Sequence, residues 1–343
     1  MATLKELADR TGYSTATISR ILSGDPSLSV TPEARRKVLE EAGRLNYTAT
    51  RSRRGRAPKV RLRLGLAEML TPEQQLDDPY YLYLSDYVRQ NCQDQKYACV
   101  PLGPGFALPP DETPLDGVAA VGIFTAEEID ALAAQSPNLV FLDSSPFESR
   151  FDSVVLGFEL GISLALEHLT NLGHRHIGFV GPERKLDDRR RPAPEVRRQS
   201  FRRLTESLGL RAAFIDCPME ASAAAQAVRA RLSGGCVPPT ALLCANEETA
   251  VGALLALREA GWRVPEEMSV VSFNDTPRSA LLDPPLTSIS AQEEEMARAA
   301  LRLLSERAVL PGKTPLRTLP LKVVVPPTLT VRRSTGPVSG QNC

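Results

Sequence analysis

The 343-residue chain has no apolar run of the ~20 residues that a membrane-spanning helix needs, which excludes a membrane protein. Its first residues, MATLKELADR, carry charge at once and contain no apolar segment, so we expect no secretory signal. Six cysteines are scattered along the chain without a Cys-x-x-Cys pair. That distribution is typical of reduced thiols rather than of a disulfide framework. These absences together predict a cytoplasmic protein.

Motifs that indicate an enzyme or a metal site are also missing. The sequence has no Gly-x-Ser-x-Gly elbow, and Gly312-Lys313-Thr314 ends like a phosphate-binding loop but has Arg307 where the first glycine of that loop belongs. His174 and His176 have no cysteine or carboxylate partner at a metal-ligand spacing. We therefore predict no catalytic residues, no metal and no cofactor.

The formal net charge is zero, but the charges are unevenly distributed. Residues 1–63 contain 14 Lys and Arg against 6 Asp and Glu, so this segment carries +8 and the rest of the chain −8. Because phosphate neutralisation needs cations only at the contact face, a basic head on an acidic body is typical of a DNA-binding module fused to another domain. A solvated basic surface would have the same composition.

Three short helices are predicted in the basic head. The first begins at a capping box formed by Thr3 and Glu6, the second is capped by Ser14, and the third begins at Thr31. Gly12 lies in the turn between the first two. This order matches a helix-turn-helix, whose second helix enters the major groove of DNA. An ordinary helical hairpin with small polar residues facing solvent is the alternative.

The run ATLKELADRTGYSTATISRILSGDPSLSVTPEARRKVLEEAGRLNY resembles the headpiece of the lactose/galactose repressor (LacI/GalR) family over its whole length. By this resemblance, Thr15, Ala16 and Arg20 take the base-reading positions, where an arginine can bond a guanine and the smaller side chains can touch a thymine methyl. Ser14, Thr17 and Ser19 are candidates for contacts with the DNA backbone. The implied headpiece contacts are Ser14, Thr15, Ala16, Thr17, Ser19, Arg20 and Tyr47.

The linker departs from the family pattern. From Gly43 to Ala67 it contains eight basic residues and no acidic one. Family members carry Y-x-P-N-x-x-A-R-S-L here, which folds into a hinge helix and wedges a leucine into the minor groove. This chain has Ala49 in place of the proline and Arg56 in place of the leucine. We expect arginines to enter the minor groove through charge and groove width; a flexible basic tether is the alternative. The predicted contacts are Arg51, Arg53, Arg54 and Arg56.

Beyond the linker, short apolar runs alternate with helical stretches, which predicts an α/β fold with parallel sheets. The expected strands are 62–69, 117–124, 139–143, 176–180, 241–245 and 269–274. The expected helices are 81–95, 127–134, 161–172, 196–208, 221–232, 249–260 and 292–307.

Two phrases in this body resemble the family as well: EHL with LGHRHIG, within residues 167–178, and SVVSFND at residues 269–275. The resemblance covers residues 2–335 and implies a periplasmic-binding-protein-like body of two Rossmann-like lobes, joined by crossovers near Gly173, Ser290 and Leu319. The implied domains are a headpiece (1–47), a basic hinge (48–61), an effector-binding domain (62–335, with a first lobe of 62–173 and 291–318 and a second lobe of 174–290 and 319–335) and a tail (336–343).

Ligands of such a body bind where strand and helix ends face each other across the lobes. Tyr80 can supply a ring face for a sugar and Asp78 an acceptor, and Arg197 matches the family's arginine that reaches the ligand from the second lobe. A satisfied loop group or helix cap is the alternative for each residue. The predicted contacts are Asp78, Tyr80, Asp143, Ser145, Arg197, Asn246, Asn274 and Asp275.

Within the family, DDPYY at residues 77–81, followed later by Asn274-Asp275, resembles the evolved-β-galactosidase repressor (EbgR-like) branch, which implies a galactoside-type effector. The prediction is an allosteric transcriptional repressor that binds double-stranded operator DNA as a homodimer and releases it when sugar binds. The alternative is co-repression, in which sugar binding strengthens operator binding. A transport-type sugar-binding protein and a two-lobed α/β enzyme are the alternatives, against which the DNA head and the missing catalytic motifs argue.

Overall fold

The computed structural model describes residues 4–22, 30–45, 62–77, 79–106, 108, 113–309 and 314–338. Its contacts divide the chain into two units, residues 1–59 and residues 60–343. None of the helices in these described ranges is both long and apolar enough to cross a membrane.

The first unit is a small bundle of helices. They are α1 (Leu4–Thr11), α2 (Thr15–Leu22) and α3 (Pro32–Arg44). Leu7, Ile18 and Val38, one from each helix, are fully buried and form the centre of its core. Ser14 caps α2, because its hydroxyl accepts a hydrogen bond from the backbone N–H of Thr17 at 3.1 Å. The predicted order of three short helices is confirmed.

The second unit is built from alternating strands and helices. The strands are β1 (Arg63–Glu68), β2 (Ala98–Pro101), β3 (Gly117–Val121), β4 (Leu139–Leu142), β5 (Asp152–Leu156), β6 (His176–Gly181), β7 (Arg184–Leu186), β8 (Pro192–Pro194), β9 (Arg211–Asp216), β10 (Ala241–Cys244), β11 (Ser269–Asn274), β12 (Thr287–Ser290), β13 (Lys322–Val325) and β14 (Thr328–Thr330). The helices are α4 (Pro72–Asp77), α5 (Pro79–Asp94), α6 (Ala126–Gln135), α7 (Phe158–Asn171), α8 (Val196–Ser207), α9 (Ala221–Ser233), α10 (Glu247–Glu259) and α11 (Glu293–Arg307).

Two six-stranded sheets form the frame of this unit. One has the order β13-β5-β4-β3-β1-β2 and the other β14-β12-β11-β10-β6-β9, and all neighbours are parallel except β12 and β14. Buried apolar clusters cover both faces of each sheet, as parallel sheets require. β7 and β8 form a separate antiparallel hairpin. The predicted α/β body of parallel sheets is confirmed.

The chain passes between the two sheets three times. It leaves the first sheet after β5 at Gly157, returns after β12 at Ala291, and leaves again between β13 and β14 at Pro326-Pro327. The crossing expected near Ser290 agrees, whereas those expected near Gly173 and Leu319 lie elsewhere. The reason is that α7 packs on α8 of the second sheet and β13 pairs with β5. The first lobe accordingly consists of residues 62–156 and 292–325, and the second lobe of residues 158–290 and 327–335.

Candidate DNA-binding face and ligand cleft

The solvent-facing side of α2 carries small polar groups and one arginine. Its buried side is made by Ile18 and Ile21, which pack into the core of the first unit. The exposed side chains are Thr15, Ala16, Ser19 and Arg20. Ser14 and Thr17 at the start of the helix also hydrogen-bond each other through their hydroxyls at 2.8 Å. The face predicted to read DNA is therefore one continuous surface on a helix whose opposite face packs into the core.

Several predicted contacts fall outside the described residues. In the first unit and linker these are Tyr47, Arg51, Arg53, Arg54 and Arg56, and in the ligand set the residue is Asp78; the predicted helix cap Thr3 also lies outside the described residues. For each of them the sequence expectation stays a prediction.

Asp143 lies in the first lobe directly after β4. Its backbone is left-handed, with φ 65°, a conformation that is uncommon for a residue other than glycine. The carboxylate accepts hydrogen bonds from the hydroxyls of Tyr81 at 2.8 Å and Tyr80 at 3.4 Å, both at the start of α5. The ring of Tyr80 is buried in the core, so it supports Asp143 and does not offer the open stacking face that we expected. Tyr81 was missed in the sequence.

Arg197 lies in the first turn of α8 in the second lobe and is buried. Its Nε donates to Glu195 Oε1 at 2.8 Å, and another guanidinium nitrogen donates to the carbonyl of Ala245 at the end of β10. The guanidinium lies 5.0 Å from the ring centre of Phe158 and 5.8 Å from that of Phe273, within the range of cation–π attraction. The predicted cleft arginine is therefore fixed between aromatic rings.

Asp143 and Arg197 come from different lobes but act on each other electrostatically. Asn274, at the end of β11 with φ 91°, is half-buried, and its side chain makes no hydrogen bond to any residue that the structure describes. The structure thus brings an acidic group from the first lobe to a basic group from the second, and it leaves one carboxamide available at a strand end. This arrangement is a candidate cleft for a polar ligand.

Three other predicted ligand residues are already bonded within the protein. The Ser145 hydroxyl bonds to side chains of its own loop and of β5, at 3.1 and 2.8 Å. Asn246 caps α10 by accepting a backbone N–H at 2.9 Å, and Asp275 forms a 2.6 Å ion pair with Arg332. These side chains match the alternative interpretation, in which polar groups at strand ends cap helices and fasten loops.

A hairpin of the second lobe, formed by β7 and β8, reaches across to the first lobe. At its tip, Arg190 donates to both oxygens of Glu128 on α6, at 3.1 and 3.2 Å, and the guanidinium of Arg189 lies 4.3 Å from the ring centre of Phe147. Asp187 organises the tip by accepting the backbone N–H groups of Arg189 and Arg191 at 2.9 Å. A side-chain hydrogen bond from Arg191 lowers the pKa of Asp187 to about 2. Sequence analysis missed this hairpin, although its run of charges from residue 183 to residue 191 marks it.

A helix-turn-helix unit joined to two parallel-sheet lobes with a charged cleft defines a DNA-binding regulator that senses a small molecule. Residues 166–335 match the family model of the periplasmic binding protein-like domain. The chain is 32% identical to the HTH-type transcriptional repressor MelR of Bacillus subtilis (strain 168), and the match covers 98% of each chain.

Two solved structures that cover nearly the whole chain have the same fold. One is the complex of the transcriptional regulator CelR with cellobiose, at a TM-score of 0.63 and 22% identity, covering 97% of this chain and 100% of that one. The other is the lac repressor dimer bound to operator and the anti-inducer ONPF, at a TM-score of 0.58 and 23% identity, covering 98% and 99%. The chain belongs to the LacI/GalR family of transcriptional regulators, and it is a regulator, not an enzyme.

Proposed function

We propose that this regulator is a repressor that binds double-stranded operator DNA through α2 and is controlled by a sugar bound between its lobes. The observation that carries the proposal is the exposed face of α2 above the buried Ile18 and Ile21. Thr15, Ala16 and Arg20 are positioned to read base edges in the major groove, where each good bidentate contact discriminates by about 1–3 kcal/mol. The linker arginines add sequence-independent affinity through phosphates and the minor groove.

The form that acts on DNA is a homodimer. Two headpieces related by a two-fold axis fit a pseudo-palindromic site, because the symmetry of the protein then matches that of the operator. The lac repressor structure to which the chain is similar is a dimer on its operator, which supports this proposal. A repressor of this kind works where the DNA is, in the cytoplasm.

The effector that suits the cleft is a neutral sugar. Sugars need planar polar groups for their hydroxyls and an aromatic or aliphatic surface for their ring faces. Asp143, Arg197 and Asn274 supply the polar groups, and the half-buried ring of Phe158 supplies aromatic surface beside the arginine. The CelR structure with the same fold holds cellobiose. A galactoside remains our first choice within this class, on the branch resemblance.

A sugar that contacts Asp143 in the first lobe and Arg197 in the second stabilises one arrangement of the lobes. It can shift the equilibrium only by the difference between its affinities for the two arrangements. The sign that we propose is induction, in which sugar binding weakens operator binding.

The experiment that tests the proposal is selection of binding sites from a random duplex library by the purified full chain. Arg20→Ala should relax the base preference at one position of each half-site. Arg36→Ala, which removes an exposed arginine of α3, is the matched control and should select the wild-type sequence. A wild-type chain that enriches no sequence, or an Arg20→Ala chain with unchanged preference, would refute base reading by α2. Adding sugars to the wild-type complex then gives the sign of regulation.

A further inference from the structure

Lys185 lies in the middle of β7, opposite Ala193 of β8. Its neighbours Arg184 and Leu186 are exposed, whereas Lys185 is half-buried. Because successive side chains of a strand point to opposite faces, Lys185 points to the inner face of the hairpin. There its Nζ lies 6.0 Å from the ring centre of Phe158, the same ring that packs against Arg197.

The surroundings of the Lys185 ammonium are charged but already engaged. Asp143 and Glu195 act on it electrostatically. Asp143, however, accepts the two tyrosine hydroxyls, and Glu195 holds Arg197 and a backbone N–H of α8, each at 2.8 Å. The Nζ itself makes no hydrogen bond or ion pair with any described residue. Burial accordingly lowers the pKa of Lys185.

An ammonium group carries three N–H donors, and withdrawing it from water without acceptors is costly. The described side chains around Lys185 give those donors no oxygen partner, and the ammonium lies near enough to Asp143 of the first lobe and Arg197 of the second to act on both electrostatically. We propose that Lys185 is an effector-contacting residue that donates hydrogen bonds to the hydroxyl or ring oxygens of a neutral sugar in the cleft. This inference rests on the proposed sugar-binding function and adds a specificity residue to it.

The charges at this place favour a neutral ligand over an anionic one. Asp143 and Glu195 act electrostatically on both Lys185 and Arg197, so the two cations are offset by carboxylates of the protein. A sugar acid or sugar phosphate would bring a further negative charge beside Asp143, which costs free energy because this carboxylate is half-buried. A neutral polyhydroxylated ring can instead accept from Lys185 and donate to Asp143.

The test measures sugar binding by the full chain with calorimetry and thermal denaturation. The probes are galactose, lactose, cellobiose, ribose and the anionic galacturonate. Lys185→Met should weaken the best-binding neutral sugar about 10- to 100-fold, because a hydrogen bond from a charged donor is lost. Without sugar, its melting temperature should equal or exceed that of the wild type, because an ammonium without acceptors has been removed. Arg184→Met, on the outer face of the same strand, should change neither quantity.

The possible outcomes separate this inference from the proposed function. If the wild type binds none of the neutral sugars, the sugar-sensing function fails and the inference fails with it. If the wild type binds a neutral sugar and Lys185→Met binds it equally well, only the inference is overturned. A variant that loses both sugar binding and unliganded stability would assign Lys185 a structural function and would also overturn it. Preference for galacturonate over every neutral sugar would contradict the ligand class.

Discussion

The ion pair between Arg190 and Glu128 is the clearest contact between the two lobes, and removing its charges tests whether it stabilises the observed arrangement. The perturbations are Arg190→Gln, Glu128→Gln and both together. Glutamine is the suitable replacement at position 128, because Glu128 also accepts the backbone N–H of Thr125 at 2.7 Å in the capping box of α6. A glutamine can keep that bond, so α6 is preserved while the charge is lost.

The magnitude follows from the exposure of the pair. The side chains of Arg190 and Glu128 are 29% and 31% exposed, so the pair belongs to the interface regime, where two charges ~4 Å apart attract by about 4 kcal/mol. Loss of hydration and of side-chain freedom offsets most of this attraction, since exposed pairs contribute only ~0.2–1 kcal/mol. We therefore expect a coupling of about 1 kcal/mol, which is roughly fivefold in an equilibrium constant.

The assay is a double-mutant cycle on the dissociation constant of the best-binding sugar. If the sugar binds the arrangement that the pair stabilises, each single variant should bind up to about fivefold more weakly, and the double variant no more weakly than either single one. Arg191→Gln is the control, because Arg191 pairs with Asp187 inside the hairpin at 2.6 Å and should show no coupling to position 128. Strictly additive effects of Arg190→Gln and Glu128→Gln would refute the idea that this pair links lobe arrangement to sugar affinity.

Two further predictions concern stability. Burial raises the pKa of Glu293, at the start of α11, from 4.5 to about 7, so the folded state holds its proton more tightly than the unfolded state and the carboxyl destabilises the fold as pH rises from 4.5 to 7. The free energy of unfolding of Glu293→Gln, measured in urea, should therefore rise relative to that of the wild type by roughly 2 to 3 kcal/mol from pH 5 to pH 8. A difference between the two proteins that does not change with pH would contradict this. Ile18→Ala removes a fully buried side chain from the core of the first unit and should cost ~2–5 kcal/mol. In so small a unit this loss should abolish DNA binding while sugar binding and the melting of the body stay as in the wild type, with the exposed Arg36→Ala as the control that keeps both; joint loss of DNA and sugar binding would contradict independent folding.

Three neighbouring strands of each sheet could be predicted from the sequence, whereas the edge strands and the two interior strands β5 and β12 could not. The six expected strands correspond to β1, β3, β4, β6, β10 and β11. All of these are interior strands, buried along nearly their whole length, so their sequences are continuous apolar runs. β2, β9, β13 and β14 lie at sheet edges and contain exposed positions. Their short mixed sequences do not differ from those of loops.

The crossings expected near Gly173 and Leu319 were misplaced because their positions depend on contacts between distant parts of the chain. Whether α7 covers the first or the second sheet depends on which surface receives its apolar face, and periodicity alone shows only that such a face exists. The pairing of β13 with β5 places Lys322 opposite Ser153. These two residues are far apart in the chain, so no local sequence pattern could predict the pairing. The crossing near Ser290 was expected from the family resemblance, and the structure shows β12 ending there before a helix whose first turn holds three glutamates.

The ligand cleft was only partly predictable for a related reason. Arg197 was found through the family motif, and Asp143 through its place after a strand. Tyr81 was missed, because its hydroxyl meets Asp143 only through the left-handed turn after β4. Lys185 was missed because it belongs to a hairpin whose strands are three residues long, too short for a period-2 pattern to be recognised.

Arg189, Arg190 and Arg191 show how far three identical neighbours can diverge once the fold is formed. One guanidinium lies over the ring of Phe147, the next binds Glu128 of the other lobe, and the third stays within the hairpin on Asp187. The same hairpin carries Lys185 on its inner face. If Lys185 binds the sugar while Arg190 binds Glu128 of the first lobe, sugar binding and the contact between the lobes are coupled through the β7–β8 hairpin. Thermodynamic reciprocity then requires that sugar binding strengthens the Arg190 contact by the same factor by which the contact strengthens sugar binding.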